Sequence, residues 1–188
     1  MKISEHVFKS KRHQTFYLAA GPEDGELIYL IHGWPDLSLG WIKQIECLSE
    51  QGYRVIAPDM RGYGRSTIHK NHSDYCQKEI VKDMVELHKS LKQNKAIWIG
   101  HDWGSLVVWN LGLHHQNIVK GLGSLCVPFG WGGHPDSYLS HIDRELYPEK
   151  EYPYGQWDYM YYYYENFASA CSQTVSYTHL RAHETKWH

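Results

Sequence analysis

The sequence predicts an α/β protein, with a mostly parallel sheet and helices on both of its faces. Short apolar runs closed by turn residues alternate with longer segments of helical periodicity from His6 to Val127. Strands separated by helices in this way build βαβ units and pair in parallel. The run Leu27-Ile28-Tyr29-Leu30-Ile31 is apolar at every position, the pattern of a strand buried on both faces. Lys78 to Leu91 carries one apolar stripe, Ile80, Met84, Leu87 and Leu91, the mark of an amphipathic helix lying on a sheet.

Taken in order, His6–Lys9 and Thr15–Ala20 are short strands, separated from the Leu27–Ile31 strand by the turn Gly21-Pro22-Glu23-Asp24-Gly25. Leu39–Gln51 reads as a helix closed by Gly52, and Arg54–Ala57 as the next strand, stopped by Pro58. A glycine-rich loop, Arg61-Gly62-Tyr63-Gly64-Arg65-Ser66, leads to the Lys78–Leu91 helix. Lys95–Ile99 is a strand, Trp103–Leu113 a helix, and Val119–Val127 a strand ending before Pro128. From Phe129 onward Gly, Pro, Trp and Tyr replace the strand rhythm. Residues 1–128 are therefore expected to form a core, 129–170 the start of an inserted segment lying over it, and 171–188 a tail. Within that tail, Val175–Thr185 has no apolar face in either periodicity and resembles a translated sequencing adapter, so it is expected to be artefactual or disordered.

Composition removes several classes. At 188 residues, with 42% hydrophobic and 21% charged residues, the chain has the make-up of a globular protein with its own core. A net charge of −2 without a basic stripe argues against nucleic acid. No apolar stretch reaches the ~20 residues that span a bilayer, and the polar N-terminus Met1–His6 is no secretory signal. A cytoplasmic location is the resulting expectation. Cys47, Cys76, Cys126 and Cys171 are scattered with no CxxC pair, against both a disulfide framework and a zinc site. The 15 Tyr and 8 Trp suggest an aromatic-lined pocket, although aromatic residues also fill cores.

Chemistry concentrates in Gly100-His101-Asp102-Trp103-Gly104, where a strand ends and a helix begins. Small residues flank the acidic one, as in a nucleophile elbow with Asp where esterases carry Ser. Such a turn lifts the side chain above the sheet and brings the chain so close to itself that only small flanking residues fit. Asp is also a common helix N-cap; the strand before it, the helix after it and the upstream motif favour the nucleophile. That upstream motif is His32-Gly33-Trp34-Pro35, directly after the buried strand, in which Trp34–Pro35 is a candidate cis bond. Ser105 lies inside the helix and is not at the elbow. The loop Ala57–Ser66 fits neither GxGxxG nor a Walker A pattern and reads as structural packing beside the elbow.

The phrases HGWPD, APDMRGYGRS and GHDWGS, in this order, together resemble the epoxide hydrolases of the α/β-hydrolase superfamily, over about residues 6 to 170. The resemblance implies the α/β-hydrolase fold, with a helical lid inserted after the sixth strand; Cys126-Val127-Pro128-Phe129 matches the exit from that strand. It implies Asp102 as nucleophile, with the backbone N–H groups of Trp34 and Trp103 as an oxyanion hole, and His32, Gly33, Pro35, Gly100 and Gly104 as the structural frame. Gly155-Gln156-Trp157-Asp158-Tyr159-Met160 resembles the segment carrying a lid tyrosine, making Tyr159 the donor of a proton to the opening epoxide. The run Tyr161–Tyr164 leaves that register open by two.

A small-molecule epoxide would be the substrate, a vicinal diol the product, and no cofactor would be needed. The second lid tyrosine, the acid and the base histidine that the family places later have no match here, so the chain is expected to be a truncated, inactive fragment. Two rival readings remain. A haloalkane dehalogenase shares the Asp elbow, but typically carries Asn where Trp34 stands. A non-catalytic binding protein of the same fold usually keeps a Ser elbow.

Overall fold

The apolar run Leu27–Ile31 is the centre of the sheet, β3, and every residue in it is buried. In the computed structural model, which describes residues 2–130, 141–166 and 169, it lies between β4 (Arg54–Pro58) and β5 (Ala96–His101), parallel to both. Beyond β5, β6 (Val119–Leu125) continues the parallel arrangement. On the other side, β2 (Gln14–Ala20) and β1 (Ser4–Lys9) add an antiparallel margin. The sheet thus has six strands in the order β1-β2-β4-β3-β5-β6. Pairing of Ile31 with Gly100 aligns the ends of β3 and β5, which puts the loops that follow them side by side.

Alternate side chains feed two cores, one on each face of the sheet. Phe16, Leu18, Ala20, Ile28, Leu30, Val55 and Ala57 pack with Trp41 and with Ile45 of α1 (Ile42–Glu50). Their neighbours Tyr17, Ala19, Leu27, Tyr29, Ile31 and Ile56 face α2 (Gln77–Ser90) and α3 (Trp103–His114). Each fully buried Leu, Ile or Val contributes roughly 1.5–3 kcal/mol. At the middle of the second core Trp98 stacks on Tyr29 with ring centres 3.9 Å apart, and its indole N–H donates to Ile118 O at 3.2 Å. No helix among the described residues is long and apolar enough to cross a membrane.

Two boundaries and one helix face differ from the sequence reading. The helix expected from Leu39 opens as a tight 3-10 turn, Ser38–Trp41, and becomes α-helical only at Ile42. The last strand stops at Leu125, because Cys126 adopts φ 76°, a conformation that leaves the ladder. The predicted stripe on α2 is present, with Met84 and Leu87 buried, but it also carries Asp83, whose side chain is 1% exposed.

Asp83 is the hub of an ion network. Its carboxylate accepts two bonds from Arg61, at 2.7 and 2.8 Å, and one from Arg12 at 2.7 Å. Arg12 also pairs with Glu79 and with Glu86. His13 is buried beside the hub, its Nε2 3.8 Å from Asp83 and its Nδ1 3.1 Å from Nε2 of His69.

Burial pushes the His13 imidazole down to about 4, with Arg61, His69 and Arg12 disfavouring a further positive charge and Asp83 opposing them. The unfolded histidine titrates near 6.5. Between those values the unfolded chain takes up a proton that the folded chain refuses, so stability falls as pH drops from 6.5 towards 4. A slope of up to about 1.4 kcal/mol per pH unit is expected from this one group. His13→Gln should remove one proton's worth of that slope. Urea midpoints taken at half-unit steps across the window would test it, and parallel curves for the two proteins would refute it.

The chain divides into two compact units, Met1–Phe129 and Gly130–His188. In the second, the Arg144 guanidinium donates to the carbonyls of Tyr152 and Pro153 at 3.0 and 3.1 Å. Gly155, at φ 58°, leads through a short turn into the helix Asp158–Glu165, with the Tyr154 N–H bonded to the Asp158 carboxylate at 2.8 Å. The tail 171–188 lies outside the described residues.

Candidate active site

β5 ends at His101, α3 starts at Trp103, and Asp102 makes the whole turn between them with φ 54° and ψ −122°. A non-glycine residue in that region costs on the order of 1–3 kcal/mol and persists only where its surroundings fix it. Here the fixing contacts are visible. The Asp102 N–H donates to Leu125 O at 3.2 Å, and its carbonyl accepts from Ser105 N–H at 2.9 Å. The Ser105 hydroxyl, fully buried, lies 3.0 Å from both Gly100 O and Leu125 O. Ser105, set aside in the sequence as a nucleophile, thus staples the elbow to the end of β6.

Close approach dictates the glycines. A Cβ on Gly104 would stand 2.3 Å from Ile31 O, and one on Gly33 would stand 2.5 Å from the Asp102 side chain. Gly100 is closed off in the same way by Gly104 O, at 2.3 Å. With those Cβ atoms missing, the loop after β3 lies directly against the elbow. The Trp34 N–H then donates to Asp102 Oδ1 at 2.9 Å. Trp34–Pro35 is a cis peptide bond. The Trp103 N–H is one of the first-turn donors of α3 that no helical carbonyl takes up, while among the described residues Trp34 is the donor bonded to the Asp102 carboxylate.

His32 holds the loop from beneath. Its Nε2 accepts from Met60 N–H at 2.9 Å and its Nδ1 donates to Gly33 O at 2.8 Å, which defines a neutral ring with the proton on Nδ1. Burial pushes its titration down, against the opposing pull of Gly33 O, Asp59 and Asp36. His32 therefore acts as a fixed spacer between the loops after β3 and β4. In the second of those loops the buried Asp59 carboxylate accepts from Ser38 N–H and Arg65 N–H, each at 3.0 Å.

This loop also brings up a residue that the sequence reading left in a structural loop. The Tyr63 ring meets His32 edge-on, with centres 5.0 Å apart. It lines a cavity of about 310 Å³ together with Gly33 and Trp103, the residues on either side of Asp102 in space and in sequence. Burial pushes the Tyr63 phenol up to about 12, reinforced by the negative charge of Asp102. The legible signal was a tyrosine between two glycines in a loop next to the elbow. Tyr159 belongs to the second unit, on the helix Asp158–Glu165, with half of its surface exposed (50%).

The comparisons with known proteins identify the fold and its relatives. The model of the alpha/beta hydrolase fold family matches residues 26–179. Epoxide hydrolase A of Mycobacterium tuberculosis is 39% identical over 109 residues, 58% of this chain and 34% of that protein. Epoxide hydrolase srdG of Neurospora crassa is 33% identical over 146 residues, 72% of this chain and 42% of that protein. The crystal structure of epoxide hydrolase A from Mycobacterium thermoresistibile superposes with a TM-score of 0.66 at 36% identity, covering 68% of this chain and 40% of that one. The chain thus spans between a third and a half of the length of these relatives. That family model covers more than half of the chain, its mostly parallel sheet flanked by helices has the fold of these structures, and the chain belongs to the α/β-hydrolase fold family.

Proposed function

We propose that this site opens epoxides by covalent catalysis, with Asp102 as the nucleophile. The observation that carries the reading is the Asp102 carboxylate, raised on a strained elbow, with Oδ1 held at 2.9 Å by the Trp34 N–H. With Oδ1 engaged, Oδ2 is the oxygen that attacks an epoxide carbon. The C–O bond of the ring breaks, and the resulting alkoxide takes a proton; the family resemblance assigns that proton to a lid tyrosine, Tyr159 in this sequence, a phenol competent towards an alkoxide. Oδ1 becomes the carbonyl oxygen of the ester. Addition of water to that carbonyl would place the negative charge on Oδ1, within the 2.7–3.1 Å range at which a preformed donor stabilises an oxyanion. The Trp34 N–H bond to Oδ1 supports it as the first donor, and the Trp103 N–H is the proposed second. The epoxide hydrolases among the relatives support the same substrate class.

The test is direct capture. The chain is incubated with styrene oxide, digested with trypsin and mapped by mass spectrometry. The adduct is expected on the peptide Ala96–Lys120, which contains Asp102 and no cysteine, and it should be released by hydroxylamine as an ester is. Asp102→Ala should leave that peptide unmodified. Among the described residues the exposed thiols Cys47, Cys76 and Cys126 are competing nucleophiles. Alkylation confined to them in the folded chain would overturn the assignment.

A further inference from the structure

We infer that the cavity beside Asp102 is a subsite for one arm of the substrate, and that the Tyr63 hydroxyl selects arms carrying a hydrogen-bond acceptor such as a carbonyl or ether oxygen. For the arm to belong to an epoxide, the proposal rests on the reading of Asp102 given above; the subsite itself rests on its own geometry. The cavity, about 310 Å³, is at the lower end of the size that holds small ligands. Met60, Ile80, Val107 and the Trp103 ring make its walls mainly apolar. Pockets of this kind owe their selectivity to a few placed polar groups.

Tyr63 is placed. Its ring is fixed edge-on against His32, and His32 is itself fixed by Met60 N–H and Gly33 O. Its backbone N–H closes a turn onto Met60 O at 2.9 Å. Among the described residues no hydrogen bond engages its hydroxyl, and the side chain is partly buried against the core. A hydroxyl open on the wall of a mainly apolar cavity is a donor that a bound acceptor can take up in place of water. The phenol stays protonated at ordinary pH, since burial and Asp102 both oppose its ionisation, so it presents a donor. Gly33 and Trp103 belong both to the cavity wall and to the surroundings of Asp102, so a ligand filling the cavity lies next to the elbow.

The test uses two probes of similar shape that do not react: acetophenone, with a carbonyl acceptor, and cumene, with a methyl group in its place. Binding is followed by the NMR methyl signals of Ile80 and Val107 and the indole signal of Trp103 in the full chain. Tyr63→Phe removes only the hydroxyl. It should weaken acetophenone about five- to tenfold, the worth of one hydrogen bond, and leave cumene within about twofold. Ile80→Phe, which fills the cavity, should expel both probes and serves as the second variant should Tyr63→Phe not fold. The proposal is overturned if neither probe moves these signals, or if Tyr63→Phe changes both affinities alike or neither.

The link to chemistry is read separately, from the rates at which 4-acetylstyrene oxide and 4-isopropylstyrene oxide modify Asp102. If both epoxides leave Asp102 unmodified while the probe pattern holds, the epoxide reading fails and the subsite stands. If both modify Asp102 with a rate ratio that Tyr63→Phe leaves unchanged, the epoxide reading stands and the subsite falls.

Discussion

Gly104→Ala is expected to lower stability by about 3 kcal/mol or more and to abolish modification of Asp102 by epoxides. The added Cβ would sit 2.3 Å from Ile31 O and 2.8 Å from His32 O. Both are backbone atoms of the central strand and the loop that follows it, so no rotamer change relieves the clash. Overpacking of side chains typically costs 1–3 kcal/mol, and a clash with the backbone of a buried central strand belongs at or above the top of that range. Relief requires α3 to move off β3. That movement separates the elbow from the loop after β3 and takes Asp102 Oδ1 away from the Trp34 N–H. Gly121→Ala on β6 is the matched control, because its Cβ would meet only Ile97 Cγ1 at an ordinary 3.8 Å. Guanidinium midpoints followed by Trp fluorescence, with peptide mapping of the styrene oxide adduct, measure both effects. Equal midpoints for the two variants would remove the close-approach argument for the elbow.

The framework of the site was legible because it is written locally. A continuous apolar run, small residues around Asp102 and Pro35 after Gly33 each constrain the backbone within a few positions, and the strand-helix order then fixes where they meet. The network around Asp83 was not legible in the same way, because Arg12, Arg61 and Asp83 come from three separate elements. One signal was present all the same. Asp83 stands three residues after Ile80 and four before Leu87, so it falls on the apolar stripe of α2. A carboxylate on a buried stripe demands a partner, and the cations that answer it are the buried Arg61 and the partly exposed Arg12. Tyr63 escaped for another reason: its loop was weighed as a phosphate cradle and set aside, and what gives it meaning is the ring of His32, thirty-one positions earlier in the chain.

Asp83→Ala is expected to cost about 3–5 kcal/mol, the usual result of removing one partner from a buried ion pair. Arg61, whose side chain is 2% exposed, would keep its charge with nothing opposite it. The reverse change, Arg61→Ala, should cost less, because Arg12 still pairs with Asp83 at 2.7 Å. Asp83→Leu combined with Arg61→Met replaces the pair by apolar side chains of similar reach and should recover most of the loss, since the two charges then no longer require each other. A double-mutant cycle on urea midpoints separates this coupling from the single costs. A loss under about 1 kcal/mol for Asp83→Ala would mean that water reaches Arg61 and that the pair is not the support inferred here. The consequence for function follows the chain outward from Arg61. Its neighbour Met60 supplies the N–H that fixes the His32 tautomer, and His32 sets both the Gly33 carbonyl and the ring of Tyr63. Asp83→Ala should therefore loosen the cavity beside Asp102 in the fraction of molecules that remain folded, weakening acetophenone and cumene together, whereas Tyr63→Phe weakens only the first.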